Sequence, residues 1–155
     1  MKPLLITLLF LATNAQAQSR CEKQKQRDSL LLRSFTNTFT DAVLHDDTTK
    51  LASLFSFPVT CSFCPHSETT DYATITRNRF LRTEAAFFLT PYLKEVLQAD
   101  LYPIIRADES VKGSCTYSFG YPVVKPSNTW EGSQAFLTIT KRKGKYMIES
   151  AWMVP

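Results

Sequence analysis

The most pointed chemical signal in the chain is Cys61-Ser62-Phe63-Cys64. In a thiol-redox enzyme a C-x-x-C pair sits at a helix N-terminus, where the dipole lowers the first thiol's pKa. Here the pair follows a strand-like run, Pro65 comes next, and no helical pattern lies beyond it. If residues 59–64 stay extended, the two α-carbons stand roughly 10 Å apart at about 3.3 Å per residue, and a bond needs less than about 7 Å. Either the chain turns at Ser62-Phe63 and the two pair locally, or each reaches elsewhere, with Cys21 and Cys115 as partners. Four cysteines favour structural disulfides wherever a chain is exported, with three connectivities open. A metal site on Cys61, Cys64 and His66 lacks an evident fourth ligand, so no metal is assigned.

His45 and His66 are the two histidines. His45 ends a helical stretch beside Asp46-Asp47, where a cation suits a helix C-terminus. As a general base it would have to project inward, yet the apolar stripe puts Phe39 and Val43 there. His66 lies in a polar loop, and no G-x-S-x-G elbow exists, so no catalytic residue is assigned. Tyr117, Phe119, Trp130, Phe136 and Trp152 are the candidates for lining an apolar ligand pocket. Trp130, in a Pro/Ser/Asn loop, is the least core-like of them. The basic run Lys141-Arg142-Lys143-Gly144-Lys145 reads as a solvated hairpin tip with its glycine in the turn, and a second cluster, Arg20 to Arg27, as a polar lead-in to a helix. Neither forms the basic, aromatic-interleaved stripe of a nucleic-acid reader.

Composition sets the frame for these residues. The chain has 155 residues with 44% hydrophobic and 21% charged, the balance of one globular domain. Its four glycines, Gly113, Gly120, Gly132 and Gly144, all lie late, so no glycine-rich phosphate loop exists and no cofactor is called for. Met1-Lys2-Pro3, the apolar run Leu4 to Ala12 and the small-x-small site Ala15-Gln16-Ala17 have the parts of a secretory signal peptide. That predicts a leader over 1–17, one domain over 18–155, no membrane span, and a secreted or periplasmic product.

The elements that must position the candidates follow from periodicity. Leu31, Leu32, Phe35, Phe39, Ala42 and Val43 recur at helical spacing over 28–45, with Asp28 or Ser29 able to cap. Asp47 or Thr48 caps a shorter helix that Phe57-Pro58 stops, and Val59 to Phe63 reads as a strand. Ile75 to Phe88 is helical, and Thr90-Pro91 opens another helix. Strands are predicted at 102–106, 114–121, 133–141 and 145–154. In the last, Tyr146, Ile148 and Trp152 alternate onto one face and Met147, Ala151 and Met153 onto the other. A sheet apolar on both faces needs cover on both, which makes a homodimer through the open sheet face plausible.

This element order resembles the NTF2-like (SnoaL-like, cystatin-like cone) superfamily. The residues that carry the resemblance are Leu51 to Thr60 (LASLFSFPVT), Ile75 to Leu97, and the closing hairpin Ala135 to Ser150. It implies an α+β fold, with N-terminal helices packed on a strongly bent antiparallel sheet and a pocket at the open end of the cone. Such folds host enzymes, binders and scaffolds alike. The leading expectation is an exported, non-catalytic domain that binds a small apolar ligand or a protein partner in the cell envelope. The alternatives are a SnoaL-like enzyme with a pocket His or Asp as base, and a thiol-redox protein built on Cys61 and Cys64.

Overall fold

The computed structural model describes residues 20–65, 71–99, 104–109, 115–124 and 132–154. The expected leader, His66, Gly113 and Trp130 lie outside them. Helices α1 (Arg20–Arg27), α2 (Ser29–Leu44) and α3 (Thr48–Ala52) come first, then strands β1 (Phe55–Cys61) and β2 (Ala73–Ile75). Helix α4 (Arg77–Arg82), a 3-10 helix (Glu84–Phe88) and α5 (Pro91–Gln98) follow, and then β3 (Ile104–Glu109), β4 (Cys115–Val124), β5 (Ser133–Arg142) and β6 (Lys145–Val154). The sheet order is β2-β1-β6-β5-β4-β3. All neighbours are antiparallel except β1 and β6, which run parallel and make the sheet mixed.

Helix α2 buries Leu32, Phe35, Thr36, Phe39, Ala42 and Val43 against the sheet. That spacing is one helical face, and the buried Thr36 hydroxyl is satisfied by donating to the Leu32 carbonyl at 2.9 Å. Leu31 belongs to the predicted stripe yet stands 39% exposed at its margin. Asp28 makes no side-chain cap, because its carboxylate is committed to the sheet. Asp47 caps α3 through Lys50 N, and Thr90 caps α5 through Leu93 N, with Pro91 in the first turn.

The helix expected over 75–88 divides. Ile75 ends β2, and Thr83 closes α4 when its hydroxyl and its N–H both donate to the Arg79 carbonyl. A threonine hydroxyl that bonds its own backbone competes with helix continuation. The strand expected from Val59 begins earlier, at Phe55. Proline has no N–H for the ladder, and the β1–β6 register shifts between Phe55 and Thr60, across Pro58.

In β6 one residue changes which side chains share a face. Thr138 pairs with Ser150 but Ile139 pairs with Ile148, so Glu149 is an extra residue opposite β5. Such a bulge reverses the alternation beyond it. Tyr146, Ile148 and Ala151 are buried, while Trp152 is 39% exposed. The expected grouping of Trp152 with Tyr146 and Ile148 is therefore corrected.

Candidate functional site

Of the four aromatic candidates among the described residues, Tyr117 and Phe119 face the helices and Phe136 and Trp152 the opposite face of the sheet. Tyr117 and Phe119, together with Tyr121, alternate along β4 toward the helices and are fully or almost fully buried. Phe119 meets Phe39 edge-on at 4.8 Å and Phe35 at 5.9 Å, and Tyr121 stands 6.1 Å from Phe39. These contacts fill the interior positions with aromatic rings. The Tyr121 hydroxyl is buried and makes no hydrogen bond. Burial pushes its pKa well above the usual phenol value.

Tyr117 instead joins an anchoring chain. Its hydroxyl donates to the Cys21 carbonyl at 3.4 Å, and its ring meets Tyr146 edge-on at 5.5 Å. The Tyr146 hydroxyl donates to Asp28 Oδ2 at 2.8 Å, and Lys141 Nζ donates to both Asp28 oxygens at 2.9 Å. The Lys141 hydrogen bond holds the Asp28 carboxyl below its ordinary value, against the opposing effect of burial. Desolvation raises the Tyr146 hydroxyl well above the usual phenol range, and Tyr117 also shifts upward. These groups tie α1 and the start of α2 to β4, β5 and β6.

Phe136 and Trp152 lie on the opposite face of the sheet. Phe136 pairs with Trp152 on one side and with Gly120 on the other. The two rings stack at 4.5 Å with 17° between their planes. A Cβ at Gly120 would meet Phe136 Cε1 at 3.0 Å, so glycine leaves the space in which that ring lies flat. On the same face at the end of β6, Val154 is also exposed.

The cysteines form two disulfides, Cys21–Cys115 and Cys61–Cys64, with α-carbons 5.3 and 5.5 Å apart. Of the two geometries open in the sequence, the chain takes the turn at Ser62-Phe63, since β1 ends at Cys61. The turn is pinned from both sides. The Ser62 N–H donates to the Ala151 carbonyl, Met153 N donates to Ser62 Oγ, and Phe63 packs on Phe88. Arg79 donates to the Pro65 carbonyl and to Glu84 Oε1. Cys61 and Cys64 are each 1% exposed, so an attacking thiolate has no open approach to this bond. Among the described residues no group of three His, Cys, Asp or Glu could hold a metal ion.

His45 caps the end of α2, with its Nδ1 2.9 Å from the Asp41 carbonyl oxygen and 3.2 Å from Asp41 Oδ1. Its side chain is 72% exposed, so it points away from the interior position that a pocket base requires. Asp46 pairs with Lys94 at 2.6 Å. His45 and Asp46 thus both make surface pairs.

Two concavities near the β5–β6 turn were not singled out from the sequence. One, of about 400 Å³, opens between α2 and the start of β6, with Leu31, Phe35, Leu54, Tyr146 and Met147 among its walls. The other, of about 840 Å³, is lined by Ser56, Lys141, Arg142, Lys143, Lys145 and Met147. The basic run was legible in the sequence, but its adjacency to an apolar groove on α2 is not.

Known structures share this architecture. A 2.5 Å structure from Catenulispora acidiphila is similar at 12% identity, covering 84% of this chain and 93% of its own, with a TM-score of 0.51. The chain has the NTF2-like fold. Another similar structure from Catenulispora acidiphila is a complex with S-DNPA (12% identity, 81% and 90% coverage, TM-score 0.45). An NTF2-like protein with a cystatin-like fold from Novosphingobium aromaticivorans is similar at 13% identity, with 88% and 90% coverage and a TM-score of 0.45. No family model and no curated protein matches the sequence. At these identities the likeness is one of fold, and the NTF2-like fold is a scaffold on which function belongs to the site.

Proposed function

We propose that this chain is an exported, non-catalytic domain of the cell envelope that acts by binding, and that its principal ligand is a protein partner docked on the outer face of the sheet. The observation that carries the reading is the stacked Phe136–Trp152 pair on the face away from the helices, with Phe136 against Gly120 and Trp152 39% exposed. Exposed aromatic side chains on a rigid element are the residues that anchor protein interfaces. The interior aromatics Tyr117 and Phe119 pack in the core and present no surface to a partner. Two disulfides suit an oxidising compartment, and among the described residues no helix is long and apolar enough to cross a membrane. A second copy of this chain is one form the protein partner can take.

The test places a photo-crosslinking amino acid at position 152, and separately at Lys143 as a distant exposed control, in the producing cell. The expected result is a discrete adduct from position 152 that is absent from 143, and lost when Phe136→Ala is added. Sedimentation of the purified chain then shows whether the partner is a second copy. Equal labelling from both positions, or none from 152, overturns the reading.

A further inference from the structure

The two concavities near the β5–β6 turn adjoin each other, since Lys145 and Met147 line both. Their chemistry differs sharply. In the smaller one Leu31, Phe35, Leu54 and Met147 supply apolar wall. The hydroxyls of Thr38 and Ser53 there are turned to backbone, donating to the Ser34 and Lys50 carbonyls at 2.8 and 2.6 Å. Its rim on α2 is the exposed Leu31, a surface hydrophobe next to an apolar groove.

The larger concavity is cationic. Of its four cations, Lys141 is held by Asp28 and Arg142 by Glu149. Among the described residues Lys143 and Lys145 have no carboxylate partner, so this end of the molecule keeps two uncompensated positive charges. Lys143 opens a two-residue turn, Lys143-Gly144, in which both residues have positive φ, 49° and 80°, and Lys145 follows it as the first residue of β6. That is the tight hairpin turn matched to strand twist, and it fixes the two backbone positions from which the lysines project.

We propose that the adjoining concavities form one site for a single-chain anionic amphiphile, a medium- or long-chain alkyl carboxylate. The carboxylate sits against Lys143 and Lys145, and the alkyl chain passes Met147 into the groove walled by Leu31, Phe35 and Leu54. Charge complementarity selects the head group, apolar burial holds the chain, and the volumes lie within the usual range for small-molecule sites. This inference does not rest on the outer-face reading. Trp152 lies seven residues from Lys145 along β6, about 20 Å away at 3.3 Å per residue.

The test uses the full chain with both disulfides oxidised. Dansylated undecanoate is the fluorescent reporter, and dodecanoate displaces it below its micellar concentration. The expected result is saturable one-to-one binding, weakened about tenfold or more by Leu31→Asp and by the pair Lys143→Glu/Lys145→Glu, and unchanged in Trp152→Ala. Dodecanol, which has the chain without the charge, binds at least about tenfold more weakly. Circular dichroism confirms that each variant is folded. Failure to saturate, equal binding of dodecanol, indifference to either groove variant, or loss in Trp152→Ala overturns the proposal. Binding to phosphatidylglycerol vesicles without binding of monomeric dodecanoate also overturns it, since the site would then be a bilayer contact.

Discussion

Removing the Cys21–Cys115 bridge by the double substitution Cys21→Ala/Cys115→Ala should separate the two disulfides energetically. This bond joins residues 94 apart in sequence, whereas Cys61–Cys64 spans only 3. A cross-link stabilises mainly by restricting the unfolded chain, and the loop-entropy relation gives about 4–5 kcal/mol for the long loop and about 2 kcal/mol for the short one. The long bridge also fastens α1, whose buried residue is Cys21, to the start of β4. The Tyr117 hydrogen bond to the Cys21 carbonyl survives the substitution and offsets about 1 kcal/mol of local loosening. The net expectation is a loss of about 3–4 kcal/mol, measured by urea unfolding followed at far-ultraviolet circular dichroism. The denaturant slope should also rise, because the freed unfolded chain exposes more surface. A loss below about 1.5 kcal/mol with an unchanged slope would refute the reasoning, as would an equal loss from Cys61→Ala/Cys64→Ala.

Asp28→Asn should destabilise the fold by about 1–2 kcal/mol at neutral pH, since it removes a partly buried ion pair with Lys141 and weakens the Tyr146 bond. The Asp28 pKa is lowered in the fold, so this stability is present above the ordinary carboxylate value of about 3.9 and is lost as pH falls through the lowered native value. Wild type and variant should converge in pH-dependent unfolding once pH falls below the lowered native value; a difference that persists unchanged through the acid limb contradicts the assignment. Arg79→Met leaves Glu84, 3% exposed, without its Nε partner at 2.7 Å, and should cost about 3 kcal/mol. Arg79→Met/Glu84→Gln should recover part of that loss. A double-mutant cycle with coupling near zero shows that the pair does not hold the Cys61–Cys64 turn in place.

Much of the scaffold was legible because local physics wrote it. The 3.6-residue stripe of α2, the Asp47 and Thr90 caps, and the Lys143-Gly144 turn each depend on residues within a few positions of one another. The two strands and the turn of the closing hairpin were readable for the same reason, but their register was not. Three features were not. The division of 75–88 depends on Thr83 bonding back to Arg79 while Glu84 turns inward to the same arginine. The early start of β1 depends on β6 as a parallel neighbour. The bulge at Glu149 depends on how β5 and β6 pair, and strict alternation therefore put Trp152 on the wrong face.

The sequence by itself determined the order of elements, helices first and long strands last, because hydrophobic period and turn chemistry are local quantities. It also narrowed the cysteines to disulfide candidates, since their number is even. Only the tertiary structure decided which cysteines pair, because Cys21 meets Cys115 through the packing of α1 on the sheet edge. It alone divided the aromatic candidates, with Tyr117 and Phe119 inward and Phe136 and Trp152 outward, and it put Trp152 outward because the one-residue bulge at Glu149 inverts the alternation beyond it. The groove beside Lys145 exists for the same kind of reason: its apolar wall comes from α2 and its cations from a turn about a hundred residues later, a juxtaposition set by long-range packing.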